Sequence, residues 1–340
     1  MEEQVFKRWC IWGHPLHTHT HSYIHNGFFR ALKYMGYQCD WFNDAPNQTL
    51  TLAPFTVFIT EGQVDTYIPM IPNCLYLLHN CVKERYLAAG IPEAHILHMN
   101  VTDYRIDGLG ENVLDKPWNR YLTNENPIIQ PLPNERWQPG IYKGQGRAIH
   151  IRWATDLLPP EIQYNMDNLE LIAKKRKTGI HFVGFCTGMQ QDYQKFLREY
   201  GIEYNAVGGF SDKNLSIEDN IDRVQSSYFA PAIVQGHQIG SGYIPCRIFK
   251  NISYGTFVVT NSQAVVDFFK AYTDEYSMVY DTNFKSLTEK AFHRMLNRNF
   301  ESERKVMAFV RDEHTYVNRV QAVIAGFIHH WKHLKEKGEL

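Results

Sequence analysis

Two runs of alternating strand and helix signals, parted by twenty residues dense in proline and glycine, constrain this chain more than any other feature. Pro127, Pro131, Pro133, Pro139, Gly140, Gly144 and Gly146 crowd the stretch between, a composition suited to a linker or hinge. Before it, strands are predicted over 5–12, 37–42, 55–60, 74–78 and 95–101. A helix is predicted over 22–35, with Ile24, Phe28, Ala31, Leu32 and Met35 on one face and Gly36 as its stop. After it, strands are predicted over 148–153, 180–185, 202–207, 228–234, 256–260 and 278–280, interleaved with helices over 161–175, 189–200, 217–225 and 244–254. Such alternation gives parallel sheets covered by helices on both faces, the α/β class. A chain of 340 residues exceeds what one core usually serves, so two domains are expected. Their boundaries are placed at 1–140 and 141–312. A last helix within 313–340 carries Val317, Val320, Ile324, Phe327, Trp331 and Leu334 as a broad apolar stripe. That stripe must be buried, on its own domain or back on the first.

Charge excludes one class of partner. The formal net charge is −1, whereas nucleic-acid binders draw affinity from a basic excess. The basic run Lys174-Lys175-Arg176-Lys177 reads as the solvated end of a helix. Six cysteines are scattered without a CxxC pair, which favours a reducing cytosol over a disulfide framework. The acidic start, Met-Glu-Glu-Gln-Val, lacks the apolar core of a signal peptide, and no run approaches ~18 apolar residues. The expectation is a cytoplasmic protein without a transmembrane segment.

Residues 230–262 carry the strongest functional signal. They read as a strand, a polar glycine-rich loop, a helix, a glycine stop and another strand. The loop Gly236-His237-Gln238-Ile239-Gly240-Ser241-Gly242 falls between a strand's carboxyl end and a helix's amino end. Glycines let backbone N–H groups approach a ligand closely, and the first helical turn with its dipole favours an anion. Open α/β sheets bind ligands outside the carboxyl ends of their strands. Pro245 suits the first turn, and Arg247 offers a planar fork of donors to a diphosphate. The alternative is that the glycines only make a turn and Arg247 pairs with a surface carboxylate. The loop matches neither a Walker nor a dinucleotide fingerprint.

The same segment resembles the donor-binding region of group-1-type GT-B glycosyltransferases, and is most similar to their spore-maturation-protein-like branch. The likeness rests on Ser241-Gly242-Tyr243, Arg247-Ile248-Phe249 and Gly255-Thr256-Phe257-Val258-Val259-Thr260. Val183-Gly184-Phe185 and His314-Thr315-Tyr316 with Arg319 add to it. It covers about residues 148–330; the first domain matches only in its alternation. The resemblance implies two Rossmann-like domains facing across a cleft. It also implies a nucleotide-diphosphate sugar as donor substrate, a glycan or other hydroxyl acceptor, and no cofactor or bound metal. Thr155, Thr187, Gly209, Gln238, Gly240, Ser241, Gly242, Tyr243 and Arg247 are the expected donor-binding residues, with Gly208-Gly209-Phe210 framing the base. Many such enzymes carry a glutamate for the donor ribose where Lys250 stands here, so that contact is in question. Lys250 could serve extra phosphate or face solvent.

Histidines mark the first domain. Gly13-His14-Pro15-Leu16-His17-Thr18-His19-Thr20-His21 follows the first strand and should therefore lie at the cleft. His-x-His-x-His can supply imidazoles to zinc or iron, but no HExxH motif and no nearby Asp or Glu completes a ligand set, and no metal is assigned. The other reading is acid–base chemistry, since a transferase that inverts needs a base near the acceptor hydroxyl and histidine titrates in the right range. The candidates are His14, His17, His19, His21 and Glu61; Glu61 and His79 end neighbouring strands. A polar loop with histidines in turn and capping bonds is the structural alternative. The resulting expectation is a glycosyltransferase. An epimerase or hydrolase of sugar nucleotides, or a non-catalytic glycan- or nucleotide-binding protein, stands as the alternative.

Overall fold

The computed structural model describes residues 5–100, 140–142, 148–184, 186–207, 215–240, 243–270, 272 and 277–338. The linker stretch 127–146 therefore lies almost wholly outside the described residues. The chain is α/β and divides into two compact units, one within Met1–Arg152 and Tyr316–Leu340, the other Trp153–Thr315. No helix among the described residues is long and apolar enough to cross a membrane.

In the first unit, β1 (Arg8–Trp12), α1 (Thr20–Tyr34), β2 (Gln38–Phe42), β3 (Val57–Glu61), β4 (Leu75–His79), α2 (Lys83–Ala88), β5 (Ile96–Asn100), β6 (Gly140–Tyr142) and β7 (Ala148–His150) follow in chain order. Among the described residues the sheet runs β2-β1-β3-β4-β5-β7-β6, parallel except for β6, which is antiparallel to β7. Trp9 to Trp12, Val57 to Ile59 and Leu75 to Leu78 are buried on both faces, as expected of central parallel strands. The stretch 148–153, predicted to open the second domain, instead supplies β7 to the first sheet, pairing Asn100 with His150. Without it the edge of β5 would present unpaired backbone groups.

α1 buries Ile24, Phe28, Ala31 and Leu32 against this sheet. It ends where Gly36 turns to φ +82° and the N–H of Tyr37 reaches Leu32 O at 3.0 Å.

The second unit holds α3 (Pro159–Asp167), α4 (Leu169–Ala173), β8 (Ile180–Val183), α5 (Met189–Glu199), β9 (Tyr204–Val207), α6 (Ile217–Gln225), β10 (Ala230–Pro231), α7 (Gly236–Gly240), α8 (Cys246–Ser253), β11 (Val258–Thr260), α9 (Gln263–Phe269), β12 (Met278–Tyr280), α10 (Phe284–Leu296) and α11 (Phe300–Glu313). β8 pairs with β9, and β10-β11-β12 form a second ladder, all parallel. The two ladders adjoin where Tyr228 N donates to Gly179 O at 2.9 Å.

Three differences from the sequence reading have local causes. The helix over 161–175 breaks at Asn168, whose amide bonds Tyr164 O at 2.8 Å. The strand over 228–234 pairs regularly only at Ala230–Pro231, because Pro231 lacks an N–H and Val234 N donates to the Asn261 side chain. Helices α9, α10 and α11 are not anticipated; α10 and α11 start at Asn283 and Asn299, whose side-chain oxygens cap Ser286 N and Ser302 N at 3.1 Å each.

The last helix, α12 (Tyr316–Glu336), belongs to the first unit. Val320, Val323 and Phe327 are fully buried, each worth about 2 kcal/mol of burial. Trp331 Nε1 donates to Ala94 O at 2.7 Å, and Arg319 Nε to Arg152 O at 2.6 Å. α12 meets α1 where Gly27 faces Tyr316; a Cβ there would lie 2.3 Å from the ring. Alanine is the better helix former by about 1 kcal/mol, but the buried ring has no room to yield. Gly27→Ala is expected to destabilise the protein by about 2 kcal/mol, read as a lowered midpoint in urea unfolding.

Candidate functional site

Parallel strands carry their carboxyl ends to one edge, and in the first unit that edge gathers imidazoles around one carboxylate. β1 stops at Trp12, and Gly13 N donates to Phe42 O at 2.9 Å. Gly13 has to lack a side chain, because a Cβ would stand 2.1 Å from Nδ1 of His25. His14 follows. His19 caps α1 in extended backbone, its Nδ1 accepting the N–H of His21 at 3.2 Å. His21 and His25 are four residues apart, hence on one face of α1. Glu61 and His79 end β3 and β4 and sit opposite each other in the parallel register.

Glu61 is only 1% exposed. His14 Nε2 lies 2.6 Å from its Oε1, and His21 Nδ1 lies 3.4 Å from its Oε2. The rings of His14 and His19 stack with centroids 4.1 Å apart, and His79 stands 5.2 Å from His21. Burial alone would raise the Glu61 carboxyl pKa, but His14 and His21 outweigh it and hold the group well below the usual carboxylate range. His25 and His79 are pushed down to about 3, first by burial and then by neighbouring imidazoles. Both are therefore neutral at physiological pH. The group can accept a proton through an imidazole or hold a cation between nitrogen and carboxylate oxygen.

Of the sequence candidates, His14, His19, His21 and Glu61 converge; their ligand atoms all lie within 4.8 Å of one another. The sequence reading found no acidic residue to complete a ligand set, whereas Glu61, remote in sequence, stands among these histidines. His17 is elsewhere: it takes φ +71°, its N–H bonds Ser22 Oγ, and its ring meets Tyr23 OH at 3.4 Å. His25 was not anticipated; its spacing from His21 was the available signal.

In the second unit the carboxyl end of β8 meets the first turn of α8 at Arg247. The guanidinium carbon lies 3.9 Å from the Phe182 ring centroid, and Nε donates to Val183 O at 3.3 Å. Gly184 holds φ +139°, and a Cβ on it would fall 2.4 Å from Arg247 Nη2. Burial lowers the Arg247 pKa, opposed by Cys246, Tyr204, Tyr243 and Cys186. Among the described residues no carboxylate pairs with this half-buried cation.

The segment before α8 differs from the predicted open loop. Gly236–Gly240 is a short helix, with Gln238 N and Ile239 N both donating to Gln235 O at 2.9 Å. Ile239 packs against the unit's core, so coiling buries it and uses amides that the loop reading left for an anion. Gln238 Oε1 accepts from Gln235 N at 3.3 Å, and Tyr243 N donates to Gln238 O at 3.1 Å. Gly240 ends that turn; Gly209, Ser241 and Gly242, like Phe185 and the rest of Gly208-Gly209-Phe210, lie outside the described residues. Pro245 is the N-cap of α8 rather than its first-turn residue.

Thr187 is half-buried in the loop after β8, which Gln235 clamps through Met189 N at 3.0 Å and Thr187 O. Thr155 is fully buried, its hydroxyl 2.7 Å from Ser253 Oγ. It is a structural bond between chain segments and not a phosphate donor. Lys250 is ion-paired: its Nζ is 2.8 Å from Oδ2 of buried Asp156, which also accepts from Tyr254 OH at 2.7 Å. Burial raises the Asp156 pKa, and Lys250 with these hydrogen bonds reverses the sign and lowers it.

Lys250→Met should therefore cost about 2–3 kcal/mol at pH 7, by leaving a buried charge unpaired. In the wild type the carboxylate's contribution is complete above the ordinary aspartate value of 3.8 and is lost as acid protonates it. In the variant, burial is opposed only by the Tyr254 and backbone hydrogen bonds, so the Asp156 pKa rises from its wild-type position and the gap to wild type narrows as the pH is lowered from 7 in urea unfolding. No family model matches the chain, and no curated protein matches it in sequence.

Proposed function

We propose that this chain transfers a sugar from a nucleoside-diphosphate sugar to an acceptor hydroxyl. The observation that carries the reading is Arg247. It is a half-buried guanidinium backed by an aromatic ring, with no pairing carboxylate among the described residues, at a strand's carboxyl end and a helix's first turn. A permanent cation held there without an anion suits a phosphate-bearing ligand, to which arginine offers two parallel N–H donors. In transfer, Arg247 would stabilise the diphosphate as negative charge gathers on it. The resemblance of 241–260 to the donor segment of GT-B glycosyltransferases points the same way, as do the two Rossmann-like runs of strand and helix.

The first unit carries a group suited to proton transfer. An acceptor hydroxyl must lose a proton as its oxygen attacks the anomeric carbon, and the group around Glu61 is built to manage one. Its carboxylate is held ionised while His14 contacts it directly at 2.6 Å.

Calorimetric titration of the full chain with UDP- and GDP-sugars tests the reading. One donor is expected to bind, and Arg247→Ala to weaken it by about 10- to 100-fold, the worth of a charge-assisted hydrogen bond. Gly184→Ala should weaken it too, since the added methyl displaces Nη2 while keeping the charge. Glu61→Gln should leave donor affinity unchanged and abolish sugar transfer. Failure of every nucleotide sugar to bind the folded protein would sink the proposal.

A further inference from the structure

The geometry points to a divalent-cation site of the zinc class at His14, His21 and Glu61, with His19 at its fourth corner. The first reason is spacing. Two ligand atoms on a tetrahedral zinc, each about 2.0–2.1 Å from it, stand about 3.3 Å apart. His21 Nδ1 and Glu61 Oε2 are already 3.4 Å apart, too long for a good hydrogen bond and right for a coordination edge. His14 Nε2 and Glu61 Oε1 are 2.6 Å apart, so an ion replacing the shared proton opens that pair by about 0.7 Å. All four donor groups fall within 4.8 Å.

The second reason is an unmet need. Among the described residues Glu61 Oε2 is buried and accepts no hydrogen bond of good geometry, with His21 Nδ1 standing 3.4 Å away. Among the described residues no lysine or arginine pairs with this carboxylate; its ion contacts are His14 and His21. A buried anion with an unsatisfied oxygen is costly, and a cation between it and the imidazoles satisfies both. Nitrogen and carboxylate donors without thiolate suit zinc better than magnesium, which takes oxygen ligands.

His19 is the weakest of the four. Its Nδ1 already accepts the N–H of His21 as the cap of α1. That leaves three firm protein ligands and a corner that an oxygen can share, the arrangement of zinc sites that act on a bound water or hydroxyl. An alcohol bound there becomes more acidic. This last step rests on the transferase reading; the binding of the ion does not.

The test uses untagged full-length protein, stripped with a chelator and titrated with Zn²⁺ against a chromophoric competitor, then with Co²⁺ for its visible spectrum. One equivalent is expected to bind, with the intense visible bands of four-coordinate cobalt. Glu61→Gln and His14→Ala should each weaken binding by more than about 100-fold, and His19→Ala by about 10-fold or less. Arg247→Ala, in the other unit, should leave it unchanged, which separates failure here from failure of the donor site. Thermal melts of each stripped variant show that it is folded, and zinc should raise the melting midpoint of the wild type but not of Glu61→Gln. Absence of one-to-one binding, equal affinity in Glu61→Gln, or loss of binding only on blocking the cysteines would overturn the site.

Discussion

A carboxylate that is 1% exposed stays ionised only if its surroundings supply charge or donors, and for Glu61 they come from separate places in the sequence. His14 comes from the end of β1 and His21 from the first turn of α1, while β4 brings His79 alongside. These segments meet because β1, β3 and β4 are parallel and in register, so each delivers its last residue to the same edge. Gly13, whose missing side chain leaves room for His25, and the His19 cap of α1 lie in the turn between β1 and α1.

The second unit poses the opposite problem with the same architecture. Arg247 is a cation that no carboxylate pairs among the described residues, held by a carbonyl, an aromatic face and a glycine that leaves it room. Structural arginines usually end in an ion pair, as Arg298 does with Glu303 and Arg304 with Glu170 nearby in this unit. Arg247 differs from them in that no carboxylate pairs with it among the described residues. Ile248, Phe249 and Ile252 bury the apolar face of α8 without it. Under the transferase proposal, the guanidinium serves the phosphate of the ligand.

The alternation that defines the α/β class was legible because its period and its glycine stops are local. The 217–225 helix and the 278–280 strand match the structure residue for residue. The sheet membership of Ala148–His150 was not legible, because strand pairing is decided by which edge stands open and not by the strand's own residues. Helices α10 and α11 were not anticipated, although Asn283 and Asn299 were readable as caps. For the site, the His-rich run and Glu61 were separately visible, but His14 and Glu61 lie 47 positions apart in the chain, with α1 and β2 between them. Only the register of β3 beside β1 makes one constellation of them. The glycine-rich stretch misled in the opposite direction. Its glycines suggested exposed amides, and the single apolar residue among them, Ile239, was enough to coil the backbone and use those amides internally.

Lys250 shows how one side chain redirects a site. Where the transferase proposal would look for a glutamate toward the donor ribose, the α8 position here carries a cation whose partner, Asp156, comes from the segment after β7. The carboxylate is thus still present near α8, but Tyr254 and Lys250 occupy both of its oxygens and it is buried. It cannot turn to a sugar hydroxyl without breaking an ion pair and exposing an unmet phenol. Ribose recognition at this place would have to come from backbone groups or from a neutral side chain such as Gln238, which discriminate the sugar less sharply than a carboxylate. Under the proposed transferase reading, donor affinity would lean on the diphosphate, and so on Arg247, more heavily than if a glutamate shared the load.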